Sequence, residues 1–460
     1  MNKPLQATLT EGGVAMHLKT MAVPMVWGLL ATMLMNVIEA FYIAHLGRQA
    51  LAAFSFTFPV VMVLTSVGIG LGAGTSSAIA RAIGEGDEHK ARRLATDAVS
   101  LTFLLSILVC TLGWFTLEPL FLGMGATPEL IPLIRSYMAI WYFSAPCLLV
   151  PMVSLAALRA LGMSQIQGYL MGGAALFNAL LAPLLIFGYG FIPAMGLQGA
   201  AIATLITRLC MLVIAMIILR QRVKLLINPF AGWAKVLASW AIIFYVGVPA
   251  MCANVIVPVA SAIVIKMVAV YGTDAVAGLG IAMRIEPLML IVFYALSGVI
   301  GPFFGQNSGA GKYTRLSEAV SVLTRFSLIL GLLLAILLWF SGSFIAGLFG
   351  GHPEVIIIAA SYLAIAPISY GAYGIIMSAN AAFNGLGRPW PAMTLSAARV
   401  LFVYLPLAYI GQSLWQMQGI FIATALTNIL IGVWAWWWIR RHIAHLSLQP
   451  YPAQKEHLKG

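Results

Sequence analysis

Long apolar stretches separated by short polar breaks run through the whole chain. Runs able to cross a ~30 Å hydrocarbon core at ~1.5 Å rise per residue lie near 17–45, 52–83, 93–116, 130–160, 164–188 and 195–219. The second half offers six more, near 237–271, 276–306, 316–349, 354–385, 390–411 and 417–439. The pattern predicts twelve transmembrane helices, hence an all-α polytopic membrane protein. The first run is too long for a signal-peptide core and has no convincing small-residue cleavage site, so it reads as a retained span.

The two sets of six spans repeat each other. Pro24 is matched by Pro249, 225 positions on, and the same offset pairs Ala44 with Ala269, Gly47 with Gly272, Ala50 with Ala275, Gly84 with Gly309 and Gly86 with Gly311. It continues through Ser136-Tyr137 onto Ser361-Tyr362 and Leu161-Gly162 onto Leu386-Gly387. The offset then becomes 220, placing Gln198-Gly199 on Gln418-Gly419 and Ile202-Ala203-Thr204 on Ile422-Ala423-Thr424. Chance matches would scatter over many offsets, so a fixed period signals duplicated units. Six crossings per half is even, which makes the repeat parallel, with a central cavity expected between two six-helix bundles. The expected division is an N-terminal bundle at 1–225, a cytoplasmic linker at 226–236, a C-terminal bundle at 237–445 and a cytoplasmic tail at 446–460.

Composition fits a lipid-facing exterior: 62% of the residues are hydrophobic and 8% charged, against ~25% charged in soluble domains. A net charge of +12 could suggest nucleic acid, but the cations sit at helix ends beside apolar spans rather than on one soluble face. Lys and Arg accumulate in cytoplasmic loops. Lys90, Arg92, Arg93, Arg220, Arg222, Lys224, Lys235, Lys312, Arg315, Arg388, Arg440, Arg441, Lys455 and Lys459 all fall on one set of loops, which places both termini in the cytoplasm of a cell whose inner membrane holds the protein. Cys110, Cys147, Cys210 and Cys252 lie inside predicted spans without C-x-x-C spacing, so neither a disulfide framework nor a metal site is indicated. The expected partners are a small-molecule substrate and the bilayer, with a monomer as the unit; no cofactor is expected.

Several segments carry a family likeness. They are Asn36-Val-Ile-Glu39 with Gly47 after it, Ala80-Arg81-Ala-Ile-Gly84-Glu-Gly86-Asp87, Leu158-Arg159-Ala-Leu-Gly162, Asn178-Ala-Leu-Leu-Ala182-Pro183, Gly196-Leu-Gln198-Gly199 and Gly305-Gln306-Asn307-Ser-Gly-Ala-Gly311. In order and spacing the chain resembles the multidrug and toxic compound extrusion (MATE) transporters, most of all the prokaryotic branch with DNA-damage-inducible members. That resemblance implies a secondary transporter, not an enzyme, which exports cationic or amphipathic organic compounds in exchange for protons or sodium ions; of the two, protons are the expected coupling ion.

A charge at the centre of a span costs about 2.5–3.5 kcal/mol on insertion scales, so each one needs a reason. Glu39 stands about two turns from the outer end of the first span and matches the acid of the family's N-x-x-D pattern; it is the candidate for carrying the coupling proton. Asn36, one turn earlier, shares its face and is expected to hydrogen-bond it; the resemblance puts Asn178 on the fifth span at the same site, against the alternative of an interhelical packing contact. The family pattern puts a second acid or Asn where this chain has Ala182, so coupling either rests on Glu39 alone or has moved toward Glu286, with Lys266 a candidate partner for that acid. Arg284 lies two residues from Glu286 and off its helix face. Pro287 after Glu286, and Pro24 in the first span, are positions where a helix can bend.

Counting Glu39 and Glu286 against Arg208, Lys266, Arg284 and Arg399 leaves the interior with two excess positive charges, which opens an anionic or zwitterionic substrate as an alternative. Tyr142, Met35, Tyr370, Tyr373 and Arg399 are candidate cavity contacts, weighed against ordinary packing. The Gly68, Gly70, Gly72 and Gly74 run has no Lys-Ser after it and reads as helix packing, not a phosphate loop. The rival function is a flippase for a lipid-linked saccharide or peptidoglycan precursor, to which the interior arginines are suited.

Overall fold

A computed structural model describes residues 5–190, 193–229, 232–349 and 352–448. The described residues form fifteen α-helices. In chain order these are α1 (Val14–Ala44), α2 (Arg48–Gly84), α3 (Glu88–Gly123), α4 (Ile131–Phe143), α5 (Ala145–Ala160), α6 (Ser164–Phe187), α7 (Gly196–Ile217) and α8 (Trp233–Ala269). They continue with α9 (Thr273–Met289), α10 (Ile291–Gly309), α11 (Tyr313–Gly347), α12 (Pro353–Ile365), α13 (Tyr370–Gly385), α14 (Pro389–Ala397) and α15 (Leu405–Ser447).

Twelve crossings emerge once the breaks are read correctly. Span four is α4 and α5, bent by 43° at Ser144, and span eight is α9 and α10, bent by 47° at Leu290. Pro287 lies in the last turn before that second break; its missing N–H removes the bond that would carry the helix through. The last two spans turn at Trp415 and Gln416, whose φ of 52° is left-handed. There the chain folds back so tightly that a Cβ on Gly411 would meet the Gly419 carbonyl oxygen at 2.4 Å. The exterior is apolar, with Trp27, Phe115 and Phe340 largely exposed, as a lipid-facing surface requires.

The repeat reaches the backbone. Gly47 and Gly272, Gly86 and Gly311, and Gly162 and Gly387 are three mates at the 225 offset, and all six have positive φ. Each ends a helix or opens the next, where an L side chain would be strained.

The chain divides into two compact units, and the division departs from the linker expected at 226–236. One unit runs from Val23 to Met251; the other holds Ala7–Ala22 together with everything from Cys252. The boundaries therefore fall inside α1 and α8, because the opening turns of each helix pack with the other half of the sequence. The tail from 449 on, with Lys455 and Lys459, and linker residues 230–231 lie outside the described residues.

In the first unit, α2 packs on α5 and on the start of α8 through the glycine run. A Cβ on Gly74 would lie 2.3 Å from the Ile243 carbonyl oxygen, and one on Gly70 would strike Met251 at 2.2 Å. Close backbone approach is what small residues supply in membranes. Arg93 pairs with the fully buried Asp97, and its guanidinium also donates to the carbonyl oxygens of Asn228 and Pro229 at 3.0 Å each. Trp240 Nε1 donates to the Asp97 carbonyl at 3.1 Å. Ile227 N–H also donates to Thr96 Oγ1 at 2.9 Å, so linker residues 227–229 are held to α3 by Thr96 and the buried ion pair.

In the second unit, Thr8–Thr10 form a short 3-10 turn docked on the α10–α11 corner. Leu9 N–H donates to Gln306 Oε1 at 3.0 Å, and its carbonyl accepts from Asn307 Nδ2 at 3.1 Å and Arg315 Nη2 at 3.1 Å. Lys312 Nζ holds the Thr10 carbonyl at 3.0 Å and Arg315 Nη1 the Gly12 carbonyl at 2.7 Å. Gln306 and Asn307 are fully buried, so this opening segment supplies the partners that buried amides need.

Candidate functional site

Glu39 sits in the last third of α1, 9% exposed, and its neighbours come from three other helices. Thr204 on α7 donates its hydroxyl to Glu39 Oε1 at 3.3 Å, and Asn178 Nδ2 on α6 lies 3.4 Å from the Thr204 oxygen. Asn178, Thr204 and Glu39 form one relay. The cation facing the carboxyl is Arg208, one turn beyond Thr204 on α7. Arg208 Nη1 donates to Ser144 Oγ at 2.7 Å, and its guanidinium lies 4.8 Å from the Trp141 ring centre. The buried Tyr137 faces both Glu39 and Arg208. Ala182 is fully buried one turn below Asn178 on α6, so this cluster contains a single carboxyl group.

Three sequence expectations change here. Asn36 is exposed and makes no hydrogen bond to Glu39; its short side chain does not reach round the helix, and Thr204 takes that role. Tyr142 is not a cavity residue: it is 2% exposed, with its ring filling the notch left by Gly113, where a Cβ would lie 2.3 Å from it. Met35 is likewise buried in packing. Pro24, by contrast, lies at a crossing with consequence, because a Cβ on Gly168 would sit 2.2 Å from its carbonyl oxygen. The bend-prone turn of α1 rides directly on the backbone of α6.

The second unit holds another acid. Glu286, near the end of α9, accepts from Tyr362 Oη at 3.1 Å, and Arg399 is the cation that faces it. Tyr294, Tyr370 and Tyr404 also lie within electrostatic reach. Lys266 and Arg284 are exposed, and among the described residues neither pairs with Glu286, whose donor is Tyr362. Tyr370 is fully buried behind the acid, whereas Tyr373 and Arg399 are half-buried, the guanidinium 4.7 Å from the Tyr373 ring centre.

Comparing the two units through the repeat uncovers a shared frame. Tyr137 and Tyr362, and Ser144 and Ser369, are mates at 225, while Thr204 and Thr424, and Arg208 and Asn428, are mates at 220. In the first unit Arg208 reaches Ser144; in the second Asn428 Nδ2 reaches Ser369 Oγ at 3.0 Å, and Arg399 Nη1 reaches Asn428 Oδ1 at 3.3 Å. A guanidinium therefore stands at the same corner of both frames, carried by non-equivalent residues. The acids are non-equivalent too, Glu39 from α1 and Glu286 from α9. Arg399 is delivered by a π-helical stretch, Ala398–Tyr404, a wide turn frequent at functional sites.

Duplicated bundles of membrane helices, each bringing an acid and a cation together among phenols and hydroxyls, have the build of a secondary transporter. The MatE family model matches residues 24–184 and 249–410, two stretches that start at the repeat mates Pro24 and Pro249. The chain belongs to this family, the multidrug and toxic compound extrusion transporters. It is 36% identical over 425 residues to a protein of Shewanella oneidensis named FAD transporter, covering 92% of this chain and 94% of that one. A Bacillus subtilis protein named probable multidrug resistance protein YoeA is 27% identical, covering 80% of this chain and 82% of that one. Among solved structures, a mutant of the Vibrio cholerae MATE transporter VcmN superposes with a TM-score of 0.90 at 29% identity, covering 97% of this chain and 100% of that one.

Proposed function

We propose that the protein exports amphipathic organic compounds across a bacterial inner membrane by proton antiport, opening alternately to each side, with both termini in the cytoplasm. The observation that carries this reading is the Asn178–Thr204–Glu39 relay, in which the one carboxyl of this cluster is reachable through hydroxyl and amide groups. A proton taken up from outside goes onto a Glu39 oxygen and removes the negative charge that opposes Arg208. A cationic substrate and the proton compete for that one charge, so protonation expels the substrate, and release of the proton toward the cytoplasm restores the site. Pro24 permits α1 to bend as its packing on Gly168 changes. Amide and carboxylate oxygens also suit sodium, which the test below separates.

In everted vesicles, imposed pH gradients and imposed sodium gradients are applied separately while uptake of a fluorescent cation is followed. The expected result is uptake driven by the pH gradient alone and abolished in Glu39→Gln. Undiminished proton-driven transport by that variant removes the assignment.

A second reading is favoured by Arg208 and Arg399 and by the FAD transporter among the relatives: the substrate is an anionic aromatic compound of the FAD kind. Its export gains about 2.3 kcal/mol per negative charge for each 100 mV of inside-negative potential. Relatives named for FAD transport and for multidrug resistance favour a small-molecule transporter over the flippase alternative.

A further inference from the structure

The second unit spends energy on a cation it barely uses. Arg399 has five N–H donors, of which one is engaged among the described residues, with Asn428 at 3.3 Å. It closes no ion pair with Glu286 among the described residues, and its other contact is the face of Tyr373. A charged side chain inside a membrane bundle is costly unless it pairs or lines a polar path. Packing does not account for Arg399 either, since it is only half-buried and held on a π-helical turn. Tyr294, 37% exposed, and the half-buried Tyr373 and Tyr404 offer aromatic surface in the same unit.

Glu286 is placed to regulate this cation without consuming it. Its carboxyl is anchored by Tyr362 at 3.1 Å, which leaves the guanidinium edge free while the nearby negative charge offsets part of its field. Arg binds phosphate through two parallel N–H···O bonds and stacks on aromatic rings. The frame shared with Ser144 and Arg208 argues that the corner is a functional position: duplication placed Asn428 there, and the guanidinium was supplied anew from α14's π-helical continuation.

We propose that the second unit contains an anion subsite of its own, in which the Arg399 guanidinium receives the phosphate of a phosphorylated heteroaromatic substrate whose ring lies against Tyr294 or Tyr373. This rests on the second reading above and assigns its recognition to named residues. The free N–H edges of Arg399 take the phosphate oxygens, Asn428 fixes the guanidinium plane, and Glu286 weakens anion binding by its own charge.

The test measures binding without any gradient, on the purified full chain in phosphatidylcholine nanodiscs, with two probes that share a ring: FMN, which carries a phosphate, and riboflavin, which does not. The wild type is expected to bind FMN more tightly than riboflavin by roughly tenfold or more, the worth of a charge-assisted contact. Arg399→Gln should erase that difference while leaving riboflavin affinity, Arg399→Lys should keep part of it, and Glu286→Gln should widen it several-fold. Riboflavin binding and thermal unfolding show whether each variant is folded. Repeating the titration with phosphatidylglycerol in the disc separates the two sources of phosphate: an unchanged FMN affinity supports a soluble substrate, whereas competitive loss of FMN assigns the corner to a lipid headgroup and overturns the proposal. If the wild type prefers FMN and Arg399→Gln keeps that preference, the subsite is wrong and the anionic-substrate reading stands. If the wild type has no preference, both fall. The Glu39 assignment is untouched in either case, because no proton gradient enters the measurement.

Discussion

Thr204 and Glu39, 165 residues apart in the chain, meet at 3.3 Å inside the first unit, and the hydroxyl is the only side-chain hydrogen bond the carboxyl receives among the described residues. Thr204→Val keeps the shape of the side chain and deletes this donor together with the link to Asn178. A hydrogen bond to a charged group contributes about 1.5–3 kcal/mol. Proton-driven efflux in vesicles should fall severalfold, less than in Glu39→Gln, and thermal stability should drop by no more than that contribution. Unaltered efflux by Thr204→Val would show that the relay plays no part in proton movement.

The crossing of α1 and α6 permits no side chain at Gly168. A Cβ there would lie 2.2 Å from the Pro24 carbonyl oxygen and 2.5 Å from its carbon, so Gly168→Ala must push the two helices apart. The expected outcome is a loss of about 1–3 kcal/mol, the range for overpacking, read as a lower unfolding temperature in detergent. Transport should fall as well, because α1 can no longer keep its bend against α6. A variant with wild-type stability and transport would mean that the crossing is looser than described.

Asp97 is fully buried with Arg93, which also holds the linker carbonyls of Asn228 and Pro229. Asp97→Asn leaves a buried guanidinium without its counter-charge. Breaking a buried pair costs about 3–5 kcal/mol. Thermal unfolding should show a destabilisation larger than that of Gly168→Ala, and limited proteolysis should cut faster near residues 224–232.

Orientation can be checked by chemistry. Single cysteines introduced at Lys90 and at Glu118, in a background lacking Cys110, Cys147, Cys210 and Cys252, are treated in intact cells with a membrane-impermeant maleimide. Glu118→Cys should label and Lys90→Cys should label only after permeabilisation, as the cation distribution requires. The reverse pattern would invert the topology.

The fold was legible because lipid imposes long apolar runs and because duplication preserved the glycines that need positive φ, such as Gly86 and Gly311. Glu39 and Arg399 stand out as charges where hydrocarbon penalises them, and Asn178 through the family resemblance. What sequence could not supply was partnership. Thr204 gives no signal in an alanine-rich helix, since a lone hydroxyl costs little there, and its pairing with Glu39 is set by how α1 and α7 pack. Span position suggests Lys266 as the partner of Glu286, but Lys266 is exposed and the donor arrives from Tyr362 on α12. Asn36 failed for a related reason: sharing a helix face by count does not bring a short amide to a carboxyl one turn on.

The docking of Leu9, Thr10 and Gly12 onto Gln306, Asn307, Lys312 and Arg315 imposes an order on biogenesis. Leu9 to Gly12 find their acceptors and donors only after about three hundred more residues have been synthesised, so this segment stays undocked until α10 and the start of α11 are in place, and it is secured before α12 to α15 follow.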